Sequence, residues 1–266
     1  RNLIKLLILL FGVSIYGQDT LSVKDGAYGY DKDFVLDVDL KTATKIRALQ
    51  FDLNFDGQEF SYLSTFALNK ERLGGDESDH VITVKEVNSA KVRVLIYSPS
   101  NKSIPTGEGN ILKLDFHNSL NYGDYTFDLT SVVASKEDNS SLDIKLKNGK
   151  ITTLAPRFYK SGGPLYDMGS IYIGSKNDRK LTFRNDGNSD LTISQESNDL
   201  VNFTMTAVEW PKVLAANEEL NLTIEFEAKT NGTFEEKFTI KTDDPLSKDT
   251  VHEFIFKAVA YNENKL

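Results

Sequence analysis

The sequence predicts an all-β protein, and three observations carry that prediction. Apolar and polar residues alternate in short stretches that recur every dozen residues or so. After Gln18 no stretch sustains a helical period. A cluster of proline and glycine between Leu154 and Pro164 divides the stretches into two runs, which places a domain boundary near residue 155.

In the first run Phe34, Leu36, Val38 and Leu40 share one face while Val35, Asp37 and Asp39 share the other. Leu49, Phe51, Leu53 and Phe55 alternate in the same way with Gln50, Asp52 and Asn54, so each strand has a dry side and a wet side. Val92, Val94 and Ile96 repeat the pattern, followed by Leu112, Leu114 and Phe116, then by Tyr125, Phe127 and Leu129. Asn148-Gly149 is expected to turn a hairpin between strands 142–147 and 150–154, because Asn-Gly is the preferred pair where two successive residues need positive φ.

Beyond the boundary the rhythm resumes with Leu181 and Phe183, then Leu191 and Ile193. Leu220, Leu222, Ile224 and Phe226 follow, with Asn221, Thr223, Glu225 and Glu227 facing away. Phe238 with Ile240, and Phe254 with Phe256 and Ala258, supply the last strands. The halves differ in length and strand pattern, so there is no internal repeat.

Arg1 and Lys5 flank the start of an apolar run from Leu6 to Ile15, and Gly17-Gln18 offers a peptidase site, so residues 1–17 read as a signal peptide. The run is shorter than the roughly 20 residues of a spanning helix. Without residues 1–17, 29 basic side chains face 39 acidic ones, a balance of −10, and nucleic acid and anionic membrane surfaces are poor partners. With no cysteine, disulfides, thiolate zinc sites, cysteine nucleophiles and a lipidated cysteine are all excluded. Exported modules without disulfides point to a bacterial envelope or extracellular protein. On that reading the sequons at Asn139 and Asn221 carry no glycan.

Phe34–Leu40 and Ala48–Asp56, with Ile104-Pro105-Thr106-Gly107-Glu108-Gly109-Asn110 leading into Ile111–Phe116 and the closing Asn148-Gly149-Lys150-Ile151, resemble the cohesin family over residues 19–154. The resemblance implies a jelly-roll β-sandwich, related to a class of carbohydrate-binding modules, that binds dockerin partners on a sheet face. Ala48 and Gln50 depart from the polar and acidic groups of dockerin binders, which leaves the partner open between a dockerin and another protein module. In the second half Met168–Gly174, Leu181–Ile193 through the turn Asp186-Gly187-Asn188, Leu222–Phe226 and Thr239–Pro245 resemble the immunoglobulin-like family of Hydin and spindle-associated proteins, the ASH type. That resemblance implies a spacer or protein-binding module without catalytic groups. The chain thus divides into 1–17 (signal), 18–155 (cohesin-like) and 156–266 (immunoglobulin-like).

Asp52-Leu53-Asn54-Phe55-Asp56-Gly57 has the opening of a calcium loop, but the twelfth position is Leu63 where a bidentate Glu is needed, and Leu53 and Phe55 read as buried. Asp76, Glu77 and Asp79 form the densest acidic cluster, a weak calcium candidate against the plainer reading of a solvated loop. His80, His117 and His252 are scattered, and no serine or cysteine nucleophile is recognisable. Acidic pairs for glycoside hydrolysis are outweighed by the many carboxylates on solubilising faces. Trp210-Pro211 reads as core rather than as a sugar platform.

If Val92, Val94 and Ile96 point inward, Arg93, Leu95 and Tyr97 point outward, an apolar and aromatic surface beside a cation. Gln50, Asp52, Arg93, Leu95 and Tyr97 are therefore the candidate partner-binding residues. The expected function is recognition of a protein module by an exported, non-enzymatic protein that needs no cofactor. The alternative is binding of an extracellular polysaccharide, for which Tyr28, Tyr30, Tyr62 and Tyr97 are the available rings.

Overall fold

A computed structural model describes residues 18–262. The predicted signal segment lies outside the described residues.

The first twelve strands are β1 (Thr20–Val23), β2 (Gly26–Gly29), β3 (Asp33–Thr42), β4 (Ile46–Asn54), β5 (Phe60–Leu68), β6 (Val81–Asn88), β7 (Lys91–Tyr97), β8 (Gly107–Asn118), β9 (Gly123–Lys136), β10 (Ser141–Leu142), β11 (Lys145–Lys147) and β12 (Gly149–Leu154). They make two sheets, one in the order β11-β1-β3-β8-β5, the other β2-β12-β9-β4-β7-β6 with β10 added on β9. The alternation sets which side chains meet between them. Phe34, Leu36, Val38 and Leu40 are buried on one sheet, and Leu49, Phe51, Leu53, Val92, Val94 and Ile96 on the other. Phe116 of β8 and Phe127 of β9 pack edge to face at 5.1 Å, and Phe55 and Phe60 close around them at 5.0 Å each.

Asn148-Gly149 is not the predicted hairpin turn. β11 pairs in parallel with β1, whereas β12 belongs to the other sheet, so the chain crosses between sheets at this point. Gly149 does not take a positive φ. Its reason is close approach, because a Cβ there would lie 2.4 Å from Cγ1 of Val23. Asn148 accepts from the amide of Leu129 at 3.0 Å and donates to Asp128 at 2.6 Å, which holds the crossing in place.

The remaining strands are β13 (Phe158–Lys160), β14 (Leu165–Tyr172), β15 (Lys176–Asn185), β16 (Leu191–Asn198), β17 (Phe203–Met205), β18 (Lys212–Leu214), β19 (Glu219–Glu227), β20 (Gly232–Thr242) and β21 (Val251–Tyr261). They form a second sandwich with sheets β13-β15-β19-β17 and β14-β21-β20-β16-β18. Phe183, Phe226, Phe238, Phe254 and Phe256 are fully buried in its core, and Trp210 packs on that core 6.1 Å from Phe238. Asp244 opens the predicted turn at Pro245 by accepting from the amide of Leu246, and its other oxygen takes the amide of Phe158. Arg157 completes the site as a buried ion pair to Asp244 at 3.1 Å.

Contacts divide the described chain into two compact units: residues 18–26, 33–117 and 126–150 in one, and 27–32, 118–125 and 151–262 in the other. Among the described residues no helix is long and apolar enough to cross a membrane.

Candidate functional site

The predicted residues come together because β4 and β7 are neighbours in register. Ala48 pairs with Tyr97, Gln50 with Leu95 and Asp52 with Arg93, and since Leu49, Phe51 and Leu53 of β4 and Val92, Val94 and Ile96 of β7 point into the core, these pairs share the opposite face. β6 extends each row on one side, with Val81 opposite Tyr97, Thr83 opposite Leu95 and Lys85 opposite Arg93. β9 extends them on the other, with Val133 opposite Gln50 and Thr130 opposite Asp52.

The face is divided by chemistry. At one end Val81, Tyr97, Leu95 and Val133 form an apolar strip; Val133 is the most exposed of them at 53%. At the other end stand Lys85, Arg93 and Lys91. Asp52 departs from the prediction that it is presented to a partner: it is 1% exposed and lies beneath the guanidinium. Arg93 donates from Nε and Nη2 to its two oxygens at 2.7 and 2.9 Å, and Lys91 stands 4.0 Å away. The hydrogen-bonded guanidinium holds the Asp52 carboxyl below the usual range against the opposing effect of burial. Gln50 is half-buried between Leu95 and Val133.

Two members of the strip were not named from the sequence. Val133 has the parity that Phe127 and Leu129 lead one to expect inside. A register shift opposite Gln50 and Asp52, with Ser131 at a φ of 51°, reverses the parity, so that Ala134 is buried and Val133 exposed. Val81 opens a strand whose residues are exposed or half-buried throughout, and no buried alternation marks it.

The other candidates are engaged elsewhere. Asp56 forms a turn by accepting from the amide of Gln58 at 2.9 Å, and Leu53 and Phe55 are buried, so the Asp52-led segment is a strand ending in a turn. Asp76 and Glu77 are exposed on a 3-10 turn. Asp79 is less solvated than predicted: it accepts from the hydroxyls of Ser100 and Ser98 and from the Ser100 amide, which bring its carboxyl down to about 2. Among the described residues no group of three or more His, Asp or Glu side chains is placed to hold a metal ion. Of the four tyrosines considered for sugar stacking, only Tyr97 is exposed; Tyr62 packs on Phe116 at 5.5 Å, and Tyr28 and Tyr30 are half-buried.

Residues 163–255 match the family model of the HYDIN/CFA65/VesB-like Ig-like domain. Solved cohesin modules resemble the chain over about half its length. The cohesin of a Coh-OlpA-Doc918 complex from Clostridium thermocellum is 14% identical, covering 52% of this chain and 100% of that one at a TM-score of 0.46. A non-cellulosomal cohesin from Archaeoglobus fulgidus is 14% identical, covering 52% and 93% at 0.44. The cohesin module of a Clostridium perfringens family 33 glycoside hydrolase is 14% identical, covering 51% and 96% at 0.43. No curated protein matches the chain. The described chain is thus built of β-sandwiches, and residues 163–255 of it match an Ig-like domain.

Proposed function

We propose that this is an exported, non-catalytic recognition protein whose cohesin-like domain binds a partner protein through the outer face of β6, β7, β4 and β9. The Ig-like domain serves as a spacer or second interaction module. One observation carries the reading: an apolar strip that includes an exposed tyrosine lies beside a row of cations on a regular sheet, the composition of an interface core with a charged rim. The strip favours a partner with an apolar ridge, and Lys85, Arg93 and Lys91 favour acidic groups alongside it. A dockerin fits this description, as do other protein modules.

The test is capture from native secretions run beside a polysaccharide array, with wild type, Tyr97→Ala and Val133→Asp. Tyr97→Ala is expected to weaken a protein partner by about 1–3 kcal/mol, the usual cost of truncating an interface anchor, and Val133→Asp to abolish selective capture. A partner bound equally by all three proteins would place the interface elsewhere.

A further inference from the structure

The cohesin-like unit carries a second, chemically different feature that shares no residue with the sheet face. A cavity of about 550 Å³ opens beside the start of β4, between the loop that contains Glu77 and the loop that contains Lys102. Its volume falls in the range of about 300–1,000 Å³ typical of small-molecule sites. Its lining is polar: Lys45, Arg47 and Lys102 supply cations, Glu77 and Glu137 carboxylates, and Ser103 a hydroxyl. Leu73 and Pro105 add a small apolar surface.

The cations are unequally matched. Lys45 lies 3.9 Å from Glu137, which also accepts from the Ser103 hydroxyl at 2.9 Å. Arg47 donates only to the side-chain oxygen of Asn139 at 3.2 Å, and its Nε is shut off from solvent with no acceptor. Lys102 donates to the backbone carbonyl of Glu77. Behind the wall Arg72 donates to the carbonyls of Pro105 and Gly107 at 2.8 Å each. Among the described residues no carboxylate lies within ion-pair distance of Arg47, Lys102 or Arg72. Asp79 is near enough to Lys102 to feel its charge, but Arg47 and Lys102 reach the cavity without a direct carboxylate partner, in a chain with 39 acidic against 31 basic residues.

We infer that this cavity binds a hydroxylated carboxylate, the chemistry of a uronic-acid sugar. The ligand's carboxylate would lie against Arg47 and Lys102, where charge-assisted hydrogen bonds are strongest. Its hydroxyls would donate to Glu137 and Glu77 and to the Ser103 oxygen, whose own hydrogen is held by Glu137. The carboxylates disfavour phosphate or sulfate, which offer more negative charge and no hydroxyl donors. The polar lining disfavours an apolar guest.

Nuclear magnetic resonance titration of the whole protein with glucuronate, glucose and acetate tests the inference. Glucuronate is expected to shift amides around the cavity saturably at about 1 mM, the affinity that ordinary ligand efficiency gives a sugar-sized molecule. Glucose and acetate should bind about tenfold more weakly. Arg47→Met and Lys102→Met, each checked for an unchanged fold by its remaining spectrum, should reduce glucuronate to the level of glucose. An oligouronate that binds more tightly than the monomer would identify a polysaccharide as the source of the ligand; equal affinity would identify the free sugar acid. Absence of saturation, glucose or acetate binding as well as glucuronate, or folded variants that bind unchanged would each overturn the inference. None of these outcomes depends on whether Tyr97 and Val133 bind a protein.

Discussion

Asp52 lies beneath Arg93, its carboxylate buried and both oxygens held by one guanidinium whose other side faces solvent. The pair joins stability to recognition: Arg93 can present its charge to a partner only while it also neutralises Asp52. Asp52→Asn keeps the shape and removes the charge, and should cost about 1.5–3 kcal/mol of stability, the range for a charged hydrogen bond. Because the folded pKa of Asp52 is depressed, its contribution is complete above the ordinary aspartate value of about 4 and is lost as pH falls through the folded value. Denaturant melts of wild type and Asp52→Asn should therefore differ at pH 7 and converge in strong acid. A constant difference at all pH values would contradict the pairing.

Arg93→Ala differs from Tyr97→Ala in kind. It leaves Asp52 buried without its main partner, so it should lower the melting temperature as well as partner affinity. Tyr97→Ala should lower affinity alone. Calorimetry of both variants checks the distinction, and equal melting temperatures would show that Lys91 suffices for Asp52.

Buried His80 and half-buried His252 set a second pH window. Burial disfavours the charged form of His80 and His252; Asp79 and the Lys102 backbone oppose this at His80, and Asp249 and Asp244 at His252, while the charges of Lys102 and Lys160 add to it. Both folded pKa values are below the unfolded value of about 6.5, so the stability they contribute is full above that pH and declines as pH falls through the folded values. The melting temperature is expected to drop as pH falls below about 6.5. His80→Asn combined with His252→Phe should flatten that drop; an unchanged slope would assign it to other groups.

Gly149→Ala forces a Cβ against Val23, a stiff β-branched side chain, and should cost about 1–3 kcal/mol, as overpacking generally does. Adding Val23→Ala removes the clashing methyl groups and should recover part of the loss. A double-mutant cycle measures the coupling; additive costs would mean that the crossing at Asn148-Gly149 is not limited by this contact.

The proposed boundary near residue 155 can be tested by expressing fragments 18–155 and 156–266, each expected to fold. Asn188 exchanges backbone and side-chain hydrogen bonds with Ala155 and donates to the carbonyl of Thr153 at 2.9 Å. A fragment starting at residue 153 should thus be more stable than one starting at 156, by about 1 kcal/mol for each bond retained. Equal stabilities would show these bonds to be dispensable.

Strand identity was legible wherever one face is wet and the other dry, as in β3, β4, β7 and β8, because the two-residue period of a strand is a local property that the order of side chains records directly. The same rule points Gln50 and Asp52 outward from one strand and Arg93, Leu95 and Tyr97 outward from another, without showing that the two strands are neighbours. Partnership is not local. That β11 joins β1 while β12 enters the other sheet, that a bulge at Ser131 turns Val133 outward, and that the Arg93 guanidinium holds Asp52 all depend on which strands meet and in what register. The cavity lined by Lys45, Arg47 and Lys102 draws on residues more than 50 positions apart, with no spacing to announce them. Sequence alone determined the periodicity and charge of each strand; tertiary structure decided which charges are neutralised and which surfaces remain open, because both follow from long-range packing rather than from neighbouring residues.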